Sequence, residues 1–397
     1  MSESKPNLTI GAKLKLFALI PILIFRAIKY ILAILLSRRP SRPLARTLTV
    51  AFTRASMTTI IPITSQYASP TPSTGAAIRD YCAAKNIPLR STPIPVPTSN
   101  HAVPPATLHI LTPTPPPTTD STRTPGPSLL LYLHGGGYTA PLFAAAHLPF
   151  ALRLATACRA RAVAVLEYGL APALRHPGQL IQAAAALRHL LSPTGGGYAP
   201  ADIVLAGDSA GGNLAAALLA HVRAARPGAE PLAVAGRLRA AVLVSPWAGM
   251  RFAGGSYARS ARWDGVTVEA MVAAREAWGP SGEVWADLVG GEAPGGGGVE
   301  GFWEGVFRGE GRVVERAVVT VGEEEIMLDD IVAWAGMIGA SEKGEGGELG
   351  DEGGKSSDVL LVRSPGEGHT GAVVDSTAGV NVKGSMLSTI VEWLEVL

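Results

Sequence analysis

Six short apolar runs, separated by stretches with helical periodicity, constrain the fold of this chain more than any other feature. The runs are unbroken rather than alternating, which is typical of strands buried on both faces of a parallel sheet. The intervening helices then predict an α/β fold with helices on both faces of a mostly parallel sheet. The runs are 129–133, 162–166, 203–206, 240–244, 317–321 and 358–362, and the helices are predicted at 142–159, 178–191, 213–225, 266–278, 327–338 and 385–396.

The segment ahead of the first run has a different composition. Residues 88–127 are rich in Pro, Thr and Ser, which favours extended, unpaired backbone. We expect a loop-rich lead-in there, with one short strand at 106–111. Gly-rich patches at 289–298 and 344–354 interrupt the later pattern and predict surface insertions.

The formal net charge of +2 hides an uneven distribution of charge along the chain. Residues 1–79 contain eleven Lys or Arg and one acid, net +10, whereas residues 80–397 carry a net charge of −8. An acidic body excludes a general nucleic-acid surface, and a basic arm attached to it indicates a membrane or targeting function. The two cysteines are too few for a disulfide framework or a thiolate metal site, and we expect no cofactor.

Residues 14–36 form an apolar stretch within the basic arm. A bilayer span needs about 20 apolar residues, and Lys15, Arg26 and Lys29 would share one helical stripe. The helix could span with snorkelling basic side chains, or lie in the interface. A signal or transit peptide and a buried core helix are the alternatives. We expect a single-pass or interfacial membrane arm, with the endoplasmic reticulum as one candidate location and four arginines beside anionic lipid: Arg38, Arg39, Arg42 and Arg46.

A G-x-S-x-G motif follows the run 203–206 directly. It reads Gly207-Asp208-Ser209-Ala210-Gly211, and a helical pattern begins behind it. Strand, sharp turn and helix are the setting of a nucleophile elbow, which leaves the serine hydroxyl at the carboxyl edge of the sheet. Ser209 is therefore the candidate nucleophile for acyl transfer.

A second glycine motif, His134-Gly135-Gly136-Gly137-Tyr138, follows the run 129–133. Consecutive glycines allow several backbone N–H groups to point at one small volume, as an oxyanion hole requires. The two motifs together, each directly behind a strand, predict a serine hydrolase.

With Tyr168-Gly169-Leu170-Ala171-Pro172 and Ser245-Pro246-Trp247 added, the motifs resemble the hormone-sensitive-lipase-like group of α/β-hydrolases over roughly residues 125–397. The basic apolar arm resembles the layout of the membrane-tethered arylacetamide deacetylases in that group. The resemblance implies that Gly136, Gly137 and Ala210 supply oxyanion-hole N–H groups, and that His134 is structural.

The resemblance also divides the chain into domains. We expect a membrane arm at 1–46, a lead-in that contributes to a cap at 47–124, and a catalytic domain at 125–397. A cap insertion is expected at about 247–312. Five of the seven tryptophans lie between the runs 240–244 and 317–321, where they could line an apolar pocket or form the core of the cap.

The acid and the base of an α/β-hydrolase follow its last two core strands. The family spacing Gly-x-x-Asp-x-x-x-Asp aligns Glu325 with the acid and Asp329 with the trailing acid. Glutamate departs from the commoner aspartate, and Glu324 and Asp329 remain alternatives. His369 follows the last run and is the candidate general base.

These residues predict a carboxylic-ester hydrolase that cleaves esters of apolar small molecules or lipids through an acyl-serine intermediate. One alternative is a deacetylase or amidase acting on lipophilic acetates or amides. An alternative of another class is a non-catalytic small-molecule receptor on the same fold. The expected partners are a small apolar ester and membrane lipid through residues 14–46, with no nucleic acid, and the sequence does not specify an oligomeric state.

Overall fold

Nine strands form a single sheet within the part of the chain that the structure describes. The structure is a computed structural model that describes residues 10–36, 43–59, 73–97, 103–113, 128–342 and 358–397. The strands are β1 (Leu89–Ile94), β2 (Ala106–Leu111), β3 (Leu129–Leu133), β4 (Ala162–Glu167), β5 (Ile203–Asp208), β6 (Leu238–Val244), β7 (Val314–Gly322), β8 (Ser341–Glu342) and β9 (Val359–Ser364). Their order is β1-β2-β4-β3-β5-β6-β7-β9-β8.

Helices connect most of the strands. They are α1 (Ile10–Ala18), α2 (Ile20–Leu35), α3 (Leu44–Thr59), α4 (Thr74–Lys85), α5 (Ala144–Ala157), α6 (Gly178–Leu191), α7 (Ala210–Arg223), α8 (Gly255–Arg259), α9 (Val268–Trp278), α10 (Val299–Phe307), α11 (Leu328–Met337), α12 (Gly371–Ala378) and α13 (Met386–Glu395). Strand β2 is antiparallel to both of its neighbours, and the other pairs are parallel. The predicted α/β class with a mostly parallel sheet is confirmed.

Both faces of the sheet are buried. In β3, Leu129, Leu131 and Leu133 face one core together with α6, α7 and α11. Leu130 and Tyr132 face the other core, with α4, α5 and α13. This double burial explains the unbroken apolar runs, because every residue of such a strand meets a hydrophobic layer.

All six predicted strands are present, and so is the short strand at 106–111. Strand β1 lies inside the segment that was expected to be loop-rich. It contains Pro93, which cannot donate a ladder hydrogen bond, and it sits at the edge of the sheet, where that loss is tolerated. The predicted insertion at 344–354 lies outside the described residues.

The basic arm packs on the body through α2 and α3. Tyr30 of α2 is buried against Val50 and Ala51 of α3. The expectation that Arg46 lies against lipid is wrong, because its guanidinium is buried and pairs with Asp375 of α12. The other expected lipid-facing arginines, Arg38, Arg39 and Arg42, lie outside the described residues.

Within the described residues, one helical stretch is long and apolar enough to cross a membrane. It comprises Lys13–Ile34, 22 residues, and only 11% of its most apolar window is buried. That exposure disfavours the alternative of a buried core helix.

Two phenylalanines, one directly before α5 and one in the middle of it, provide a matched test of the core. Phe150 is fully buried against Tyr132, whereas Phe143 is 61% exposed. We expect Phe150→Ala to lower the free energy of unfolding by about 3–5 kcal/mol, because it leaves a cavity under the sheet. Phe143→Ala should change it by less than about 0.5 kcal/mol. Urea denaturation followed by circular dichroism measures both, and equal losses would contradict the described packing.

Candidate active site

Parallel pairing brings the carboxyl ends of the central strands to one edge of the sheet. The loops that follow β3, β5, β7 and β9 carry, in that order, Gly136 and Gly137, Ser209, Glu325, and His369. Residues far apart in sequence therefore meet at one place.

Ser209 occupies a strained turn between β5 and α7. Its φ is 53° and its ψ −120°, a conformation that side chains with a Cβ seldom adopt. The turn is held from both sides, because its N–H donates to Val244 at 2.9 Å and its carbonyl accepts from Trp247 at 3.0 Å. A Cβ on Gly211 would collide with the carbonyl of Leu133, so this close approach requires glycine.

The three predicted catalytic side chains form a continuous hydrogen-bonded chain. The Ser209 Oγ lies 2.8 Å from Nε2 of His369. The other ring nitrogen, Nδ1, lies 2.7 Å from Oε1 of Glu325. This geometry can move a proton from the serine to the imidazole while a carboxylate stabilises the resulting charge.

Glu325 is the candidate acid that bonds His369. It is fully buried, and its second oxygen accepts from Ser245 Oγ at 2.8 Å and from the Gly322 N–H at 3.1 Å. The carboxylate of Asp329, one of the alternatives, instead accepts from Ser256 and Arg259. The N–H of Glu324, the other alternative, donates to the Glu367 carbonyl.

The environment favours the protonated form of His369. Burial, the largest single effect, lowers the pKa of the imidazole, but the charge and hydrogen bond of Glu325 and the charges of Asp264 and Asp208 together outweigh it. The pKa of His369 is therefore raised above its usual value of 6.5. A raised pKa strengthens the imidazole as a base.

The glycine loop after β3 presents free backbone donors. In the described part of the chain, the N–H groups of Gly136, Gly137 and Ala210 donate to no protein atom. Gly136 and Gly137 have φ values of 112° and 60°, which glycine adopts without strain. Asp208 fixes this loop, because its buried carboxylate accepts from the Gly135 N–H at 3.0 Å.

His134 lies in the same loop but is enclosed. Its ring stacks on Tyr168 at 4.4 Å between centroids, and Nδ1 lies 2.7 Å from the Gly135 carbonyl. Burial is the main effect that lowers the pKa of His134 to about 4, and the charge of the nearby His147 contributes to this lowering. A neutral, buried imidazole of this kind agrees with a structural role.

Most tryptophans of the inserted segment between β6 and β7 are buried. Four of the five are 3% exposed or less, and the fifth, Trp263, is half-buried. The four are Trp247, Trp278, Trp285 and Trp303. Trp278 stacks on Tyr138 of the loop after β3, and Trp303 packs on Trp334 of α11. These rings therefore form a core that the insertion shares with the rest of the protein.

Sequence reasoning missed two polar residues that hold the site together. Ser245 bonds Glu325 and also accepts from the Thr370 N–H at 3.0 Å. Its place directly after β6, at the carboxyl edge, was a usable signal. Asp264 accepts from the backbone of His369 and Ile326, but no motif marks it.

Comparison with protein families agrees with this architecture. A family model described as the alpha/beta hydrolase fold matches residues 130–345, which is more than half of the chain. The chain belongs to the α/β-hydrolase fold family. The predicted resemblance to hormone-sensitive-lipase-like members is confirmed.

One curated relative of this α/β-hydrolase is a protein of Streptomyces hygroscopicus named acetyl-hydrolase. The two are 39% identical over 130 residues, which is 32% of this chain and 38% of the relative. The match thus spans well under half of the relative's length.

Solved structures also resemble this α/β-hydrolase. An esterase of the bacterial hormone-sensitive lipase family is 23% identical, with a TM-score of 0.57 and coverage of 90% of this chain and 99% of that one. A thermostable esterase from Pseudomonas putida is 17% identical, with a TM-score of 0.56 and coverage of 90% and 92%. At these identities the likeness shows the fold alone.

Proposed function

We propose that the protein is a carboxylic-ester hydrolase that works through an acyl-serine intermediate on Ser209. The observation that carries this proposal is a pair of hydrogen bonds. Ser209 Oγ lies 2.8 Å from Nε2 of His369, and Nδ1 of His369 lies 2.7 Å from Oε1 of Glu325. A nucleophile, a base within hydrogen-bond reach and a group that orients the base are the three parts that acyl transfer requires.

The proposed reaction has two halves. His369 Nε2 accepts the proton of Ser209 as Oγ attacks the ester carbonyl carbon, and the developing oxyanion accepts hydrogen bonds from Gly136, Gly137 and Ala210. The tetrahedral intermediate collapses, the ester C–O bond breaks, and His369 donates its proton to the leaving alcohol. Water, deprotonated by His369, then attacks the acyl carbon and releases the acid and free Ser209. Glu325 stabilises the imidazolium in both halves.

For the substrate we propose an ester of an apolar small molecule or lipid. The partial relative named acetyl-hydrolase makes acetyl esters the first class to examine. The same machinery could serve deacetylation or cleavage of amides. A non-catalytic receptor is disfavoured, because the nucleophile, base and acid all lie at hydrogen-bonding distances.

We further propose that the arm lies in the membrane interface rather than across the bilayer. Helix α2 is held against α3 and the inserted segment, since Arg26 donates to the Thr58 carbonyl of α3 at 2.6 Å and Tyr30 donates to the Trp263 carbonyl. The arm also carries exposed apolar residues, including Phe17 on α1 and Phe25 on α2. Apolar side chains beside Lys13 and Lys15 suit an anionic lipid surface.

Replacement of the nucleophile tests the mechanism. Ser209→Ala should lose on the order of 10³-fold or more in kcat, because no acyl-enzyme can form. The measurement is hydrolysis of p-nitrophenyl esters from acetate to long acyl chains by the full chain. Wild-type activity in the folded variant would refute the acyl-serine mechanism.

The assignment of the acid can be tested by two neighbouring substitutions. Glu325→Gln should lower kcat on the order of 10⁴-fold, because the imidazole loses its orienting carboxylate. Glu324→Gln is the matched control and should stay within a few-fold of wild type. The reverse ranking would move the role of the acid to Glu324.

The pH dependence gives a second readout on the same variants. Since the base must be neutral, kcat/KM of the wild type should rise with pH through a midpoint above 6.5, the ordinary histidine pKa. Glu325→Gln removes the largest contribution that raises the pKa, so its midpoint should move to lower pH. An unchanged midpoint would show that Glu325 does not act on His369.

Vesicle binding tests the arm. Phe17→Ser combined with Phe25→Ser should weaken co-sedimentation with phosphatidylcholine and phosphatidylserine vesicles by more than about tenfold, since each buried aromatic contributes about 1.5–3 kcal/mol. Phe143→Ser is the control, because Phe143 is 61% exposed but lies outside the arm. If the wild-type protein fails to sediment with vesicles, the interfacial arm is refuted.

A further inference from the structure

One fully buried carboxylate connects the inserted segment to two loops, the one after β7 that carries Glu325 and the one after β9 that carries His369. Asp264 lies between α8 and α9 and accepts three backbone hydrogen bonds. Its Oδ1 accepts from Gly265 at 2.7 Å and from His369 at 2.8 Å. Its Oδ2 accepts from Ile326 at 2.8 Å.

Two of these donors are next to the proposed chemistry in sequence. Ile326 directly follows Glu325 on the loop after β7, and His369 contributes its own N–H from the loop after β9. A charged acceptor forms shorter and stronger bonds to N–H groups than a neutral one does. The carboxylate therefore sets the distance between the two loops.

We propose that Asp264 is a positioning residue that holds the Glu325 and His369 loops in register, so that the imidazole faces both Glu325 and Ser209. This inference rests on the proposed hydrolase function and adds a residue from the inserted segment to it. Asp264 does not touch Ser209 and takes no part in proton transfer.

The segment that carries Asp264 is itself held in place. The Arg54 guanidinium of α3 donates to the carbonyl oxygens of Ala261 and Asp264, both at 2.6 Å. Tyr30 of α2 bonds the carbonyl of Trp263, between these two. The carboxylate thus reaches the loops from a backbone that is fixed on its opposite side.

Asp264 also acts on His369 through its charge. The groups that act on the pKa of His369 are Glu325, Asp264 and Asp208, and each of them raises it against the effect of burial. Removing one of these negative charges should lower the pKa of the imidazole. A residue that supported the fold without carrying charge near the imidazole would not shift this pKa.

Asp264→Asn is the direct test. The amide cannot accept at both positions, so its NH₂ group must face the N–H of Ile326 or of His369. We expect kcat to fall about 10- to 100-fold, as a displacement near 1 Å can cause, with KM changed less than about threefold. The midpoint of the pH profile should move to lower pH. Rates are measured on the full chain and expressed per folded enzyme by circular dichroism.

Asp287→Asn is the matched control. Asp287 is also buried in the insertion, at 7% exposure, but its carboxylate caps a local turn by accepting from the Gly290 N–H at 2.9 Å. This variant should keep the wild-type kcat and pH midpoint per folded enzyme. A shift equal to that of Asp264→Asn would overturn the specific role of Asp264.

Gly368→Ala disturbs the same contact without removing the charge. A Cβ at this position would lie 2.9 Å from Oδ1 of Asp264, which is too close and must displace the carboxylate. We expect kcat to fall while the pH midpoint shifts less than in Asp264→Asn. This variant keeps the proposal testable if Asp264→Asn does not fold.

The outcomes separate the inference from the function on which it rests. The positioning role is overturned if folded Asp264→Asn keeps the wild-type kcat and pH midpoint. If Asp264→Asn does not fold, the same result in folded Gly368→Ala overturns it. Ser209→Ala assayed in parallel reports on the hydrolase itself. If that variant is inactive while both Asp264→Asn and Gly368→Ala resemble wild type, only the inference fails.

Discussion

The common direction of the central strands is the constraint on which the site depends. Because β3, β5, β6, β7 and β9 run in parallel, the loops after them meet at one edge of the sheet. The approach is close enough that a Cβ on Gly211 would strike the backbone at the end of β3. The strained conformation of Ser209 and the position of the glycine loop both follow from this tight meeting of β3, β5 and α7.

Buried negative charge is the main electrostatic feature around this edge, and both backbone N–H groups and side chains such as His147 and Tyr132 contact it. Asp208 accepts from Gly135, Asp264 from three amides, and Glu325 from Gly322. Glu367 accepts from Met386 and lies 3.5 Å from Arg46. Amide donors offset part of the desolvation of these carboxylates, although burial still raises the pKa of Asp264 above its usual value. The negative charges of Glu325, Asp264 and Asp208 raise the pKa of His369.

The sequence predicted the parts of the molecule in which a local pattern and the fold agree. The strands were recognisable because burial on both faces produces unbroken apolar runs. Ser209 and His369 became candidates because each follows one of those runs, and Glu325 because the family spacing aligned it with the acid. Strand β1 was missed because proline is typical of loops. The local sequence does not show that this segment lies at the edge of the sheet, where proline is tolerated. Arg46 was misplaced because its partner, Asp375, is 329 residues away. Asp264 was missed because its three bonds depend on tertiary structure alone.

The three amide hydrogen bonds to Asp264 limit how freely the inserted segment could be exchanged for another. A segment inserted between two strands is a natural candidate for replacement by a different segment, since connecting loops tolerate insertions. A replacement segment without a carboxylate at this point would leave the N–H groups of Ile326 and His369 buried and unpaired, and each such group costs about 1–3 kcal/mol. The inserted segment is therefore not a transferable module, and grafting a foreign cap onto this sheet requires that the graft supply its own acceptor.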